Sequence, residues 1–250
     1  MMKRLLIRAD DLGYSDAVNC GIAKTVNDGL IRCVGVMPNM PEAKNGLNML
    51  MRKDVCLGQH TNICIGMPLS DPKAIPSLVR SNGEFKSSKE YNNAGTDIIV
   101  LDEVIIEIEA QYQRYLELTG EEPHYFEGHA VFSGNLLNGL EIVARQHGLK
   151  YSGFVGPGEP MRVGNTVVFM NMESMKPDYA PFEALKQVVE HAHEDACEVF
   201  ICHPGYLDAY ILKHSSMTMP RPLEVAMLTD PEVKHWLNAQ DIQLVTYDNL

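Results

Sequence analysis

Across 250 residues, short apolar runs of strand length alternate with amphipathic stretches of helix length, roughly six or seven times over. No linker, internal repeat or low-complexity segment interrupts the order. Such alternation predicts an α/β fold whose parallel strands are joined by right-handed crossovers. Count and length predict one domain over residues 1–250, a (β/α) barrel that is seven-stranded and imperfectly closed. An open doubly wound sheet is the alternative, but no GxGxxG follows the first strand.

That first strand ends unusually. In KRLLIRADDLG the run Leu5-Leu6-Ile7 reads as a buried strand, and it stops at Arg8, Ala9 and the adjacent carboxylates Asp10 and Asp11. Neighbouring like charges repel, and burying either one without a partner is costly. A cation between them resolves the conflict. The plain alternative is that Asp11 or Ser15 caps the following helix.

Val18, Ile22, Val26 and Leu30 share one helical face, predicting a helix from Ser15 or Asp16 to near Gly29. RCVGVMPNM follows as a strand, Pro41–Arg52 as a helix, and DVCLGQHTNI as a strand carrying His60 at its end. Residues 66–100, rich in Pro, Ser, Asn and Gly, predict an excursion with little regular structure, either a substrate cover or a solvated insertion. Leu101–Thr119 is a helix closed by Gly120; HYFEGHAVF is a strand with Glu127 and His129 near its end; NLLNGLEIVARQHGLK is a helix; YSGFV begins a strand. Past a Gly/Pro/Met-rich stretch with a strand at Thr166–Phe169 come the helix PFEALKQVVEHAHED and the strand CEVFICHPGY ending at His203. One or two helices from PRPLEVAMLTDPEVKHWLNAQ and a short strand in DIQLVTYDNL complete the series.

The formal charge of −12, from 21 Lys+Arg against 33 Asp+Glu, repels phosphate backbones and anionic lipid, so neither nucleic acid nor membrane is an expected partner. A neutral small molecule or sugar is compatible. The apolar run before Arg8 is too short for a secretory signal, which needs roughly 7–15 apolar residues, and no run approaches the ~18–20 of a membrane span. A cytoplasmic protein is expected. Its six cysteines form no CxxC pair and read as reduced, mostly buried thiols. A homodimer, the commonest soluble oligomer, is the expected assembly.

Asp10/Asp11, His60, His129 and His203 each fall at the C-terminal end of a predicted strand. In a parallel barrel those ends converge on one face, where active sites are built. Two histidines and a carboxylate make a set that binds Zn²⁺ and other divalent cations, and open positions on such an ion polarise carbonyls and activate water. Taken singly, a strand-end His is more often a hydrogen-bonded structural residue. His147, His191, His193 and His235 fall on predicted helices facing solvent, His124 precedes its strand and His214 lies in a loop. HAH at 191–193 is not a metal pair, because helix positions i and i+2 do not share a face. Arg221 and Glu224, at i and i+3, read most simply as a surface pair, with bracing of the site as the alternative, and the Met residues as adaptable packing.

RADDLGYSDAVNCGI, LGQHTNI, the EGH segment and ICHPGY, in this order, resemble the YdjC-like carbohydrate deacetylase family, chitooligosaccharide deacetylases among them. The tail PRPLEVAML…IQLVTY resembles that family's ending. The resemblance implies a barrel related to polysaccharide deacetylases and one divalent metal ion, Mg²⁺ or Zn²⁺, held by Asp11, His60 and His129. It implies Asp10 as general base, His203 as a proton-handling group, and an acetylated sugar as substrate. One departure stands out: Val131 occupies the place of a further family His, and Glu127 replaces an Asp.

The leading expectation is therefore a metal-dependent carbohydrate deacetylase. A second is another metal-dependent barrel enzyme, such as a phosphoesterase or an aldolase or isomerase, for which Arg8 and Arg221 are the candidate phosphate binders. A third is a sugar-binding barrel without turnover.

Overall fold

β1 (Arg4–Leu12) runs through the middle of the computed structural model, which describes residues 3–156 and 158–250, and is buried over nearly its whole length. Its side chains alternate as a strand requires. Leu5, Ile7 and Ala9 pack outward in a helix-covered core, while Leu6 points into a second core inside the sheet's curve. Each such aliphatic side chain contributes roughly 1.5–3 kcal/mol on burial.

From β1 the chain continues through α1 (Asp16–Asn27), β2 (Cys33–Val36), α2 (Ala43–Met49) and β3 (Cys56–Thr61). Next come α3 (Ser88–Asn92), α4 (Leu101–Thr119), β4 (Tyr125–Gly128), α5 (Gly134–Gln146) and β5 (Lys150–Tyr151). β6 (Pro160–Val163), β7 (Thr166–Asn171), α6 (Pro181–Glu190), β8 (Cys197–Cys202) and α7 (Ala209–His214) follow. The series closes with α8 (Pro220–Thr229), α9 (Pro231–Asn238), β9 (Gln243–Leu244) and a 3₁₀ turn at Tyr247–Asn249.

The strand order is β5-β4-β3-β2-β1-β8-β7-β6, with β9 added to β1 at Arg4 and Leu5. Every pairing is parallel except β6–β7. The sheet curls into a nearly closed barrel around Leu6, Tyr125, Val168, Val199 and Tyr247. Among the described residues no ladder joins β5 to β6, so the barrel is imperfectly closed, as expected. It departs from the seven-stranded expectation by the β6–β7 hairpin, which turns at Gly164 with φ +58° in the Gly/Pro/Met-rich stretch.

Several element boundaries differ from those read in the sequence. α1 matches, with the Ser15 side chain accepting from the Val18 N–H. α2 is shorter than Pro41–Arg52, because Asn27 takes the Met49 carbonyl and the Met51 N–H and so ends it. α6 stops at Glu190, and His193 leaves it to stack on Phe169 and bond Glu198. α7 was not foreseen; it opens on Asp208, whose side chain accepts from Ile211 N–H.

The excursion over 66–100 has little regular structure, as expected, but it is no solvated insertion. Ile75, Leu78, Phe85, Tyr91 and Ile99 bury a separate core against α4 and α5. Glu107 of α4 accepts from Leu69 and Ser70 at its start, and Asp97 holds Ser133 and Asn135 at its end. Among the described residues no helix is long and apolar enough to cross a membrane. All six cysteines are free, and all but Cys20 are buried.

Candidate functional site

The end of β1 breaks the alternation that governs the rest of the strand. Pairing with β2 shifts register between Ala9 and Leu12, and Asp11 has φ +81°, a left-handed conformation rare outside glycine. A regular strand would send Asp10 and Asp11 to opposite faces. The irregularity turns both toward the same buried space, at a conformational cost of about 1–3 kcal/mol.

Three donor atoms meet there. Asp11 Oδ1 lies 2.9 Å from His129 Nδ1 and 3.1 Å from His60 Nε2, and the two ring nitrogens are 3.0 Å apart. β3 delivers His60 and the end of β4 delivers His129, whose N–H donates to the Thr61 carbonyl at 2.9 Å. His60 Nδ1 is held by Glu127 Oε1, which fixes the ring's orientation and aims Nε2 inward, toward Asp11 and His129. A carboxylate oxygen and two imidazole nitrogens thus converge within 3.1 Å of one another. Donors about 2.1 Å from one divalent ion and at right angles to each other stand about 3.0 Å apart, so the set fits a metal.

Charge at the site agrees with that fit. Asp10, Asp11 and Glu127 share the space with Arg8 and Arg221, and carboxylates outnumber guanidiniums. Burial opposes ionisation of Asp11, but His129 and Arg221 overcome it and hold its carboxyl well below the usual range. Arg8 overcomes the same penalty at Asp10 and keeps it low. Burial pulls His60 and His129 down, yet the surrounding carboxylates win and push them to about 10 and about 9. The pocket attracts positive charge.

Arg8 is the organising cation. Its Nε and Nη2 grip both Asp10 oxygens at 2.6 and 2.8 Å, Nη2 lies 3.4 Å from Glu127 Oε2, and Nη1 donates to Tyr247 Oη at 2.8 Å. Gly35 leaves room for this network: a Cβ there would come within 2.7 Å of Glu127 Oε1 and 3.1 Å of His60 Cβ.

The surface reading of Arg221 and Glu224 is overturned. Both are buried, at 2% and 0% exposure, because α8 lies against the strand ends instead of facing solvent. Arg221 Nη2 donates to Asp11 Oδ2 at 2.7 Å, and Glu224 Oε2 accepts the His203 backbone N–H at 2.5 Å. Glu224 also accepts from Tyr179 Oη at 2.8 Å, and burial pushes it up to about 7.

His203 joins the same buried face without a hydrogen bond from its ring. Its Nδ1 is buried and lacks a partner among the described residues, and burial pushes the imidazole down to about 4 against the pull of Asp11 and Asp10. The Pro204-Gly205 turn after it packs directly on α1, where a Cβ on Gly21 would meet the Gly205 Cα at 2.4 Å. Asp10, Asp11, His60 and His129 are therefore brought together, with His203 beside them. Of the two readings of Arg221 and Glu224 it is the bracing one that the contacts favour, and sequence reasoning missed the part of Tyr247. His147, expected on a helix surface, is the half-buried cap of α5, bonded to Glu109 and packed at a tilt against Tyr112.

A family model described as "YdjC-like protein" matches residues 4–239. The chain is 28% identical to "Carbohydrate deacetylase 2" of Listeria innocua, over 99% of this chain and 98% of that one. It is 27% identical to "Carbohydrate deacetylase" of Clostridium beijerinckii, over 99% and 100%. Its fold matches a crystal structure from Enterococcus faecalis, provisionally assigned there to cellobiose-phosphate cleavage, with TM-score 0.86, 23% identity and coverage of 100% and 99%. A family 4 acetyl xylan esterase from Clostridium thermocellum, solved with a cobalt ion, shares the fold at TM-score 0.51 and 11% identity, over 98% and 89%.

Proposed function

The chain belongs to the YdjC-like family, and on that premise we propose that it is a metal-dependent hydrolase removing acetyl groups from N-acetylated carbohydrates, chitooligosaccharides or similar sugars. The observation that carries this reading is the triangle of Asp11 Oδ1, His60 Nε2 and His129 Nδ1, with ionised Asp10 beside it. Relatives named carbohydrate deacetylase over nearly the whole chain support it.

In this reading Asp11, His60 and His129 hold one divalent cation, Mg²⁺ or Zn²⁺. Such an ion, when bound, polarises an acetyl carbonyl and lowers the pKa of water. Asp10 takes the proton of the attacking water as general base. Arg8 fixes both of its oxygens and keeps it ionised in a place that burial would otherwise neutralise. Water oxygen joins the acetyl carbon, the carbon–nitrogen bond breaks, and acetate leaves. The proton that Asp10 takes from the water passes on to the departing amine, and His203, neutral at the outset, relays it. Arg221 splits the duties of Asp11, holding Oδ2 and leaving Oδ1 for the cation.

The phosphoesterase alternative is weakened by the same geometry, since Arg8 and Arg221 are both engaged in buried ion pairs. The test is acetate release from N-acetylglucosamine, chitobiose and their 6-phosphates by metal-stripped protein, before and after adding Zn²⁺ or Mg²⁺. Release restored by metal supports the proposal. Silence across the panel, with one ion tightly bound, overturns the substrate class and favours a binding barrel or another hydrolase.

A further inference from the structure

A second group of metal-type donors lies at the other end of the barrel, and the proposed hydrolysis does not use it. Cys56 opens β3, four residues before His60, or about 13 Å along an extended strand. His124 immediately precedes β4, and Asp248 sits in the C-terminal 3₁₀ turn. Separate parts of the chain thus deliver a thiol, an imidazole and a carboxylate to one place, with donor atoms within 4.8 Å of one another.

The contacts within the group are specific. His124 Nδ1 meets Asp248 Oδ1, and an imidazole nitrogen lies within 4.8 Å of the Cys56 sulfur. Cys33 is the register partner of Cys56 on β2. Cys56 itself is buried, whereas the His124 and Asp248 side chains are 35% and 52% exposed, which gives an ion a way in from solvent.

We propose that Cys56, His124 and Asp248 form a second metal site, for a thiophilic divalent cation of the Zn²⁺ class, at the N-terminal face of the barrel. Thiolate and imidazole together favour such an ion over Mg²⁺ or Ca²⁺, which take oxygen ligands. The ion ties the C-terminal turn to β3 and to the start of β4. Asp248 is the neighbour of Tyr247, whose phenol receives Arg8 Nη1, so the tie also steadies the residue that grips Asp10.

The test is a Co²⁺ titration of chelator-treated, phosphine-reduced full-length protein, followed by its near-ultraviolet thiolate-to-cobalt charge-transfer band. The band should saturate at an amplitude of one thiolate-bound cobalt per chain, whatever the other centre takes up, and be displaced by Zn²⁺. Cys56→Ser and His124→Ala should abolish it, and Asp248→Asn should weaken cobalt binding by about tenfold or more. Asp11→Asn, which alters only the other centre, should leave the band intact. Absence of the band in the unsubstituted protein, or a full band in His124→Ala, overturns the proposal. His124 and Asp248 lie at the solvent edge, so their variants decide the matter even where Cys56→Ser does not fold.

Discussion

Arg221 Nη2 stands 2.7 Å from Asp11 Oδ2, an ion pair that spans 210 residues of sequence and is almost wholly buried. It neutralises one side of a carboxylate whose other oxygen faces two imidazoles. Removing one partner of a buried pair typically costs about 3–5 kcal/mol. Arg221→Met should therefore lower stability and weaken divalent-metal affinity by about 10–100-fold. Denaturant unfolding and calorimetric metal titration measure the two effects. Metal affinity equal to that of the unsubstituted protein would show that Arg221 only packs.

Asp10 differs from its neighbour in being tied to Arg8 rather than to the imidazoles. Asp10→Asn keeps an acceptor for Arg8 but loses the base. Acetate release should fall by about 10²–10⁴-fold while metal stoichiometry stays at that of the parent. Unchanged turnover would remove Asp10 from the chemistry.

At Gly35 the prediction is steric. A methyl group at this position, 2.7 Å from Glu127 Oε1, has to displace Glu127 or His60. Gly35→Ala should destabilise by about 1–3 kcal/mol and weaken metal binding through the loss of the Glu127–His60 contact. Thermal melts and metal titration of the variant check it, and parental values for both would contradict it.

Glu224 links stability to pH. Burial raises its pKa from an ordinary 4.5 to about 7 in the folded chain, against Tyr179, the His203 N–H and Arg221. The folded state binds this proton more tightly than the unfolded state, so its contribution is fully present below pH 4.5 and is lost as pH rises to about 7. The span is worth on the order of 3 kcal/mol. Glu224→Gln, which can still accept from His203 and Tyr179, should flatten the stability profile across this window. An unaltered slope in pH-dependent unfolding would show that Glu224 does not govern it.

The positions of Asp10, Asp11, His60, His129 and His203 were legible because strand–helix alternation alone places strand ends on one face. The face that Asp11 presents was not legible, since it depends on a register shift and a positive φ that no residue pattern announces. Arg221 and Glu224 were misplaced for a related reason. An i,i+3 charged pair looks the same on a solvated helix and on one pressed against a barrel mouth, and only the tertiary arrangement distinguishes them. The excursion over 66–100 hid its core because Ile75, Leu78, Phe85 and Tyr91 are spaced by turns rather than by a helical or strand period. Tyr247 reaches Arg8 from the far end of the chain, a contact with no local signature.

The most direct measurement of the central claim is an anomalous difference map from crystals grown with Zn²⁺. The account predicts a peak about 2.1 Å from each of Asp11 Oδ1, His60 Nε2 and His129 Nδ1, lost in His129→Ala. A map with no peak at that point, from protein that is folded and saturated with zinc, would contradict it.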